Sequence, residues 1–209
     1  MVSVFSPHML SLQQLRSEYQ NCQRCGLCKN RTQVVFGSGN ENAEILLVGE
    51  APGAEEDKQG VPFCGMSGKV LDQLLAGAGL QREDVFITNT VLCRPPNNRN
   101  PEKEEIEQCR ARLDQLIAIL QPKVIVTVGN FATQRILGKT GITSLRGKVF
   151  QKVLGNREVT IVPTIHPANY LYSGRNPDLF AKMQQDFRMV VEQVKKAAEQ
   201  KGLKDFEAW

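Results

Sequence analysis

Nowhere in the 209 residues do eighteen apolar positions follow one another, which excludes a helix able to cross a bilayer. Met1 to Leu10 contains no basic segment leading into an apolar run, so a chain without a secretory signal, and hence a cytoplasmic one, is expected. Repeats, low-complexity tracts and linkers are also missing, and one domain spanning residues 1–209 is the expected organisation. With 41% hydrophobic and 23% charged residues the chain is neither collagen-like nor a disordered tail. Both glycine signatures of nucleotide sites fail. Gly49 to Lys58 lacks the second glycine and the Lys-Ser/Thr pair of a phosphate loop, and Gly37-x-Gly39 precedes a strand and is followed by Asn42 where a third glycine belongs. What little charge asymmetry exists is basic: 26 Lys and Arg against 22 acids give +4. That balance permits a polyanionic partner without demonstrating one.

What is present is an alternation. Ile45 to Gly49, Val85 to Asn89, Val124 to Val128 and Val159 to Pro163 are short, β-branched-rich and nearly continuous in apolar character, the pattern of strands buried on both faces. Between them Val70, Leu71, Leu74 and Leu75 recur at helical spacing, and so do Ile106, Cys109, Leu113, Leu116, Ile117 and Leu120. Pro101 followed by acids suits the start of that second helix. Asn130 to Leu137 and Pro177 to Lys196 read as two more helices, and Leu137 to Gly147 as a loop. The expected fold is α/β: a three-layer α/β/α sandwich around a four-stranded, mostly parallel sheet. In such sheets ligands bind beyond the carboxyl ends of the strands. Those ends carry Glu50 to Gly53, Asn89, Gly129-Asn130 and His166-Pro167.

Six cysteines in a reducing compartment call for metal or catalysis before disulfides. Cys22, Cys25 and Cys28 lack the fourth cysteine and proline of a bacterial ferredoxin run. Cys93 and Cys109 are too far apart for the second close pair of a zinc ribbon. A thioredoxin-like pair belongs at a strand-to-helix junction, and Cys22 and Cys25 precede the first strand. A metal or cluster held by Cys22, Cys25 and two of the remaining cysteines is left. Cys64, beside Phe63, reads as a small buried hydrophobe and Cys28 as a non-ligand.

The stretches GEAPGAEEDKQGVPF (Gly49 to Phe63), TNTVLCRPPNNRNP (Thr88 to Pro101) and HPA (His166 to Ala168) resemble the motifs of family 4 uracil-DNA glycosylases. The similarity runs from about Cys22 to Asp186. It implies that Cys22, Cys25, Cys93 and Cys109 hold a 4Fe-4S cluster tying down the amino-terminal segment. It also implies excision of uracil from DNA by hydrolysis of the N-glycosidic bond of a base turned out of the stack, leaving an abasic site. Each role in such a pocket finds a suitable residue. Phe63 offers a stacking face, and the Asn89 amide can pair with O4 and N3–H of uracil and mispairs with cytosine. His166 can donate to O2 of the departing uracil anion. Related families hold Asp or Asn where this chain has Ala51, so Glu50 is expected to position the attacking water and stabilise the sugar cation and Glu56 to wall the uracil C5 edge, with Asp57 as a local cap. Arg94, Arg99, Arg146 and Arg175, with Asn97, Asn98 and Lys148, are the expected phosphate contacts, and Leu171 or Tyr170 the wedge filling the gap left in the duplex. With His8 and His166 as the two histidines, and none in the Arg94 to Pro101 loop, turnover is expected and covalent trapping is not. The expected partner is uracil-containing DNA, single- or double-stranded, met by a monomer with no membrane involved and with a sliding clamp as a further candidate. The competing expectation is a non-catalytic iron-sulfur module binding damaged or single-stranded DNA.

Overall fold

The computed structural model describes residues 11–207, with side-chain surroundings to residue 199, so the reading of Met1 to Leu10, His8 included, lies outside the described residues. In chain order the elements are α1 (Leu12–Gln20), β1 (Ser38–Gly39), β2 (Ile45–Gly49), α2 (Ala54–Gln59), α3 (Met66–Gly77), β3 (Val85–Asn89), α4 (Lys103–Gln108), α5 (Arg110–Leu120), β4 (Val124–Val128), α6 (Asn130–Leu137), α7 (Ile142–Leu145), β5 (Phe150–Leu154), β6 (Arg157–Thr164), α8 (Pro167–Tyr172) and α9 (Pro177–Glu207). No helix among the described residues is long and apolar enough to cross a membrane.

The strands form one mixed sheet in the order β1-β3-β2-β4-β6-β5. β3, β2, β4 and β6 run parallel and are the four strands expected from the sequence. β1 and β5 add an antiparallel strand at each edge, so the sheet has six strands and not four. Successive side chains leave a strand on opposite faces. Leu46 and Val48 of β2 accordingly enter one core with Leu15 of α1, Leu113 and Leu116 of α5 and Ile136 of α6. Ile45 and Leu47 enter the other with Leu71 and Leu74 of α3 and Met183 and Phe187 of α9. Helices therefore cover both faces, and burial on both faces explains why these strands show no alternation in sequence.

Two expected elements differ in detail. The single helix read from Ile106 to Leu120 is broken at Cys109, whose N–H is shared between the carbonyls of Glu105 and Ile106. Cys109 thus stands at a junction between helices, not within one. The loop expected between Leu137 and Gly147 holds the short α7, whose start is capped by Asn130: its Oδ1 accepts from the N–H groups of Gly141 and Ile142.

Arg146 does not stand free as a phosphate contact. It pairs through Nε and Nη2 with both carboxylate oxygens of Asp186 on α9, at 3.0 and 2.6 Å, and Asp186 has no exposed surface. Thr164 at the end of β6 donates to the same carboxylate at 2.9 Å. Burial pushes the Asp186 carboxyl up, and Arg146 and Thr164 oppose the shift. Removing one partner of a buried pair leaves an uncompensated charge, so Arg146→Ala is expected to cost about 3–5 kcal/mol of stability in urea denaturation. Unchanged stability together with a shallower salt dependence of DNA binding would restore Arg146 to the DNA surface.

Candidate active site

Parallel register sets the strand ends side by side. Gly49 of β2 lies opposite Asn89 of β3, and the N–H of Gly129, just past β4, donates to the carbonyl of Thr164 at the end of β6. Beyond this edge opens a cavity of about 440 Å³ whose lining includes Ala51, Glu56, Phe63, Asn89, His166 and Leu171. Residues far apart in the chain are brought together here, at the edge where open α/β sheets bind ligands.

Phe63 is buried at 5% exposure and adopts φ 51°, a left-handed conformation costly for a bulky residue. Its surroundings hold it there. Arg82 donates to the carbonyls of Pro62 and Phe63 while its Nε pairs with Asp72 at 2.6 Å. Gly68 on α3 leaves room for the Phe63 carbonyl, because a Cβ there would come within 1.7 Å of the oxygen. The ring then stacks toward His166, with centroids 5.6 Å apart and planes inclined by 30°. Gly49 is needed for the same reason: a Cβ at this position would approach Asn89 Oδ1 to 2.4 Å and the Phe63 ring to 2.7 Å.

Asn89 is buried at 2% exposure, and its Oδ1 has no hydrogen-bond partner among the described residues. A buried unpaired acceptor is costly and calls for a ligand. His166 caps α8, its Nδ1 accepting from the N–H of Ala168 at 3.2 Å. The ring borders the cavity but is closely surrounded by protein, and burial lowers its pKa to about 4, with Glu56 opposing. At neutral pH the imidazole is therefore uncharged. With Nδ1 accepting, the proton sits on Nε2, which makes Nε2 the donor.

The acids divide. Glu56 lines the cavity, but its Oε2 accepts from Gly53 N–H at 3.1 Å and its Oε1 from Gly65 N–H at 2.9 Å. It clamps the two turns that carry Ala51 and Phe63. Glu50 is half-buried and outside the cavity lining, and burial raises its pKa. Asp57 is no local cap: buried, it accepts the Thr32 N–H through both oxygens at 3.0 Å and ties the cysteine segment to α2.

Among the expected DNA contacts, Asn98 reaches the cavity rim and accepts from Arg94 Nε at 2.7 Å. Asn97 and Asn98 both take positive φ, which short amide side chains tolerate. Arg99 is engaged by Glu105 at 2.6 Å and by Glu102 at 3.2 Å, so its charge is already matched inside the protein. Arg175 shares a smaller groove of about 210 Å³ with Met66, Lys69 and Leu171, next to the main cavity. Tyr170 packs on Phe180, centroids 5.2 Å apart, whereas Leu171 and the 87% exposed Tyr172 stand at the cavity mouth. Tyr172 at the mouth and Arg82 beneath Phe63 are not marked by any motif in the sequence, Arg82 because it acts through backbone carbonyls.

Cys22 and Cys25 pack against the core cluster that contains Cys93 and Cys109, and all are free thiols. Arg31 donates to Cys93 Sγ at 3.1 Å, and burial pushes the Cys93 thiol up to about 12 against that interaction. Among the described residues no three His, Cys, Asp or Glu side chains are gathered as a site for a single metal ion. Cys28 and Cys64 are half-buried, so Cys64 is not the fully buried hydrophobe expected.

Residues 36–188 match the family profile described as Uracil DNA glycosylase superfamily. The chain is 45% identical over 190 residues to a type-4 uracil-DNA glycosylase of Sulfurisphaera tokodaii, covering 88% of this chain and 85% of that one. It is 43% identical over 189 residues to the type-4 uracil-DNA glycosylase of Archaeoglobus fulgidus, covering 88% and 94%. The corresponding protein of Thermotoga maritima is 42% identical over 180 residues, covering 85% and 88%.

The tautomer of His166 is testable without substrate. Its ring should stay neutral and Nε2-protonated by nitrogen NMR from pH 8 down to about 5, protonating only near 4, whereas an ordinary histidine titrates near about 6.5. The unfolded chain binds the proton first in that window, so this group makes stability fall as pH drops from about 6.5 toward 4. Titration near 6.5 would remove the argument for a neutral donor.

Proposed function

The chain belongs to the uracil DNA glycosylase superfamily, and from that premise we propose that it hydrolyses the N-glycosidic bond of a deoxyuridine turned out of DNA, leaving an abasic site. The observation that carries this reading is the buried, unpartnered Oδ1 of Asn89 in a cavity shared with Phe63 and His166. Uracil supplies N3–H to that oxygen and accepts at O4 from Nδ2 of the same amide. Cytosine places an acceptor and a donor at these two points and mispairs with both. Stacking of the base on Phe63 contributes roughly 1–3 kcal/mol by analogy with other aromatic platforms.

Cleavage separates C1′ of the sugar from N1 of uracil and leaves negative charge on the base. Nε2–H of His166 donates to O2, an interaction that strengthens as the charge grows, so it lowers the barrier more than it tightens ground-state binding. A donor so placed is worth about 3 kcal/mol in comparable sites. Glu50, behind the wall residue Ala51, acts through space: once ionised above its raised pKa, it favours the positive sugar over the neutral one in a poorly screened interior. The water then adds to a highly electrophilic carbon with little basic assistance, and the proton it sheds passes through solvent to the departed uracil anion. Arg94, Arg175 and Leu171 with Tyr172 receive the flanking strand at the mouth, and affinity falls with salt in proportion to the phosphates neutralised.

Cys22, Cys25, Cys93 and Cys109 are the residues that would hold a 4Fe-4S cluster. The donor set fits: thiols alone, from the segment after α1, the turn after β3 and the α4–α5 junction, around one core. When bound, the cluster cross-links these segments.

A non-catalytic DNA-binding module is the second reading, favoured by Ala51 and by the engagement of Glu56 with backbone amides. Single-turnover incubation with a uracil-containing oligonucleotide followed by alkali separates the two: strand breakage at uracil supports the glycosylase, and retardation in a gel without breakage supports the module. Asn89→Ala and His166→Ala should each lower the chemical step by about a hundredfold while DNA affinity changes little; equal losses in both would contradict the assigned roles. Cys93→Ala should reduce folding yield and the visible absorbance of the purified protein. A stable, fully active variant that keeps that absorbance would overturn the cluster assignment.

A further inference from the structure

The bulkiest fully buried side chain is a charged one that the chemistry above does not use. Arg112 on α5 has no exposed surface. Its Nη1 donates to Thr88 Oγ1 at 3.0 Å, its Nη2 to the carbonyls of Asn89 at 2.6 Å and Thr90 at 3.3 Å, and its Nε has no partner. Thr88 in turn donates to the Phe36 carbonyl at 2.8 Å. The hydrogen-bond partners of the guanidinium are thus neutral oxygens at the end of β3. Burial lowers its pKa to about 10, and the nearby Cys109 opposes the shift, so Arg112 remains a cation at neutral pH.

Burying a cation without a carboxylate is unfavourable, and an apolar side chain of similar volume would fill the space at lower cost. What the guanidinium provides is geometry. The Asn89 carbonyl belongs to the peptide plane that follows the base-reading residue, and the Thr90 carbonyl to the next plane. Thr90 N–H is fixed from the other side by the Gly49 carbonyl at 2.8 Å. The backbone carrying Asn89 is therefore held by α5 and by β2 together.

We infer that Arg112 is a positioning residue for base recognition, aiming the Asn89 amide into the cavity by fixing the carbonyls of Asn89 and Thr90. The inference rests on the reading of Asn89 as the uracil-binding amide. Arg112 also lies three residues past Cys109, so the helix start that presents this thiol also carries the side chain that orients the pocket.

The test is a double-mutant cycle read by free-uracil affinity and by single-turnover excision, using the wild-type protein, Arg112→Met, Arg112→Lys, Asn89→Ala and the combined variants. Arg112→Met should weaken uracil binding about tenfold, the loss expected when a misplaced amide forfeits a neutral hydrogen bond to the base, and leave affinity for abasic-site DNA unchanged. Arg112→Lys should recover part of the loss and carries the comparison if the methionine variant fails to fold. On the Asn89→Ala background either substitution should add almost nothing, because its effect passes through Asn89. An equal further loss on that background, or unaltered uracil affinity in folded Arg112 variants, overturns the inference. Failure of the folded wild-type protein to bind or excise uracil would instead overturn the base-reading role of Asn89, and Arg112 with it.

Discussion

The cavity depends on a hydrogen atom at Gly49, where any other residue carries carbon. Register places this position opposite Asn89, and the Phe63 ring fills the remaining space, so the strand end, the amide and the aromatic face meet with no room for a methyl group. Strand pairing is set by core packing on both faces, and the site inherits its precision from that packing. The functional side chains do not create the cavity; they are delivered to it by a sheet that would form for other reasons.

Delivery alone leaves side chains loose, and the structure tightens each of them through the backbone. Glu56 bridges the turns at Gly53 and Gly65, Arg82 holds the left-handed Phe63, and Arg112 holds the carbonyl of Asn89. These partners are charged groups bound to neutral peptide dipoles, a strong form of hydrogen bond in a poorly solvated setting. The acids and bases that look most reactive in sequence are thus partly occupied in architecture. That division explains why Glu56 and Arg99, both conspicuous beside the motifs, are matched within the protein, and why Arg146 belongs to a buried ion pair with Asp186.

Much of the fold was legible, for particular reasons. Strands buried on both faces leave continuous apolar runs, and three of the four observed parallel strands begin and end at the residues where those runs do. β5 escaped because only one side of it is partly covered, by Phe150, Lys152 and Leu154, while Gln151 and Val153 are exposed; the Gly155-Asn156 pair before Arg157 was the hairpin signal that marked it. β1 is two residues long and leaves no periodicity at all. In the site, Asn89 and His166 could be placed together because each stands at or just past the end of a strand, whereas Phe63, between α2 and α3, was placed through the motif resemblance alone. Arg82 and Arg112 could not, since a side chain that serves a distant carbonyl has the same sequence pattern as one that serves water. The break at Cys109 was hidden for a similar reason: the apolar spacing runs across it unbroken.

His166 belongs to two structures at once, because the nitrogen that does not face the reaction is the cap of α8. The penalty for orienting the ring is therefore met when the chain folds, before any nucleic acid arrives. The converse also holds. Fraying of that first helical turn releases Nδ1 and lets the proton migrate to it; in the reaction proposed above, Nε2 would then face the leaving group with a lone pair, which repels the developing charge. On that reading the chemistry requires that one helical turn to stay closed, in addition to an intact core.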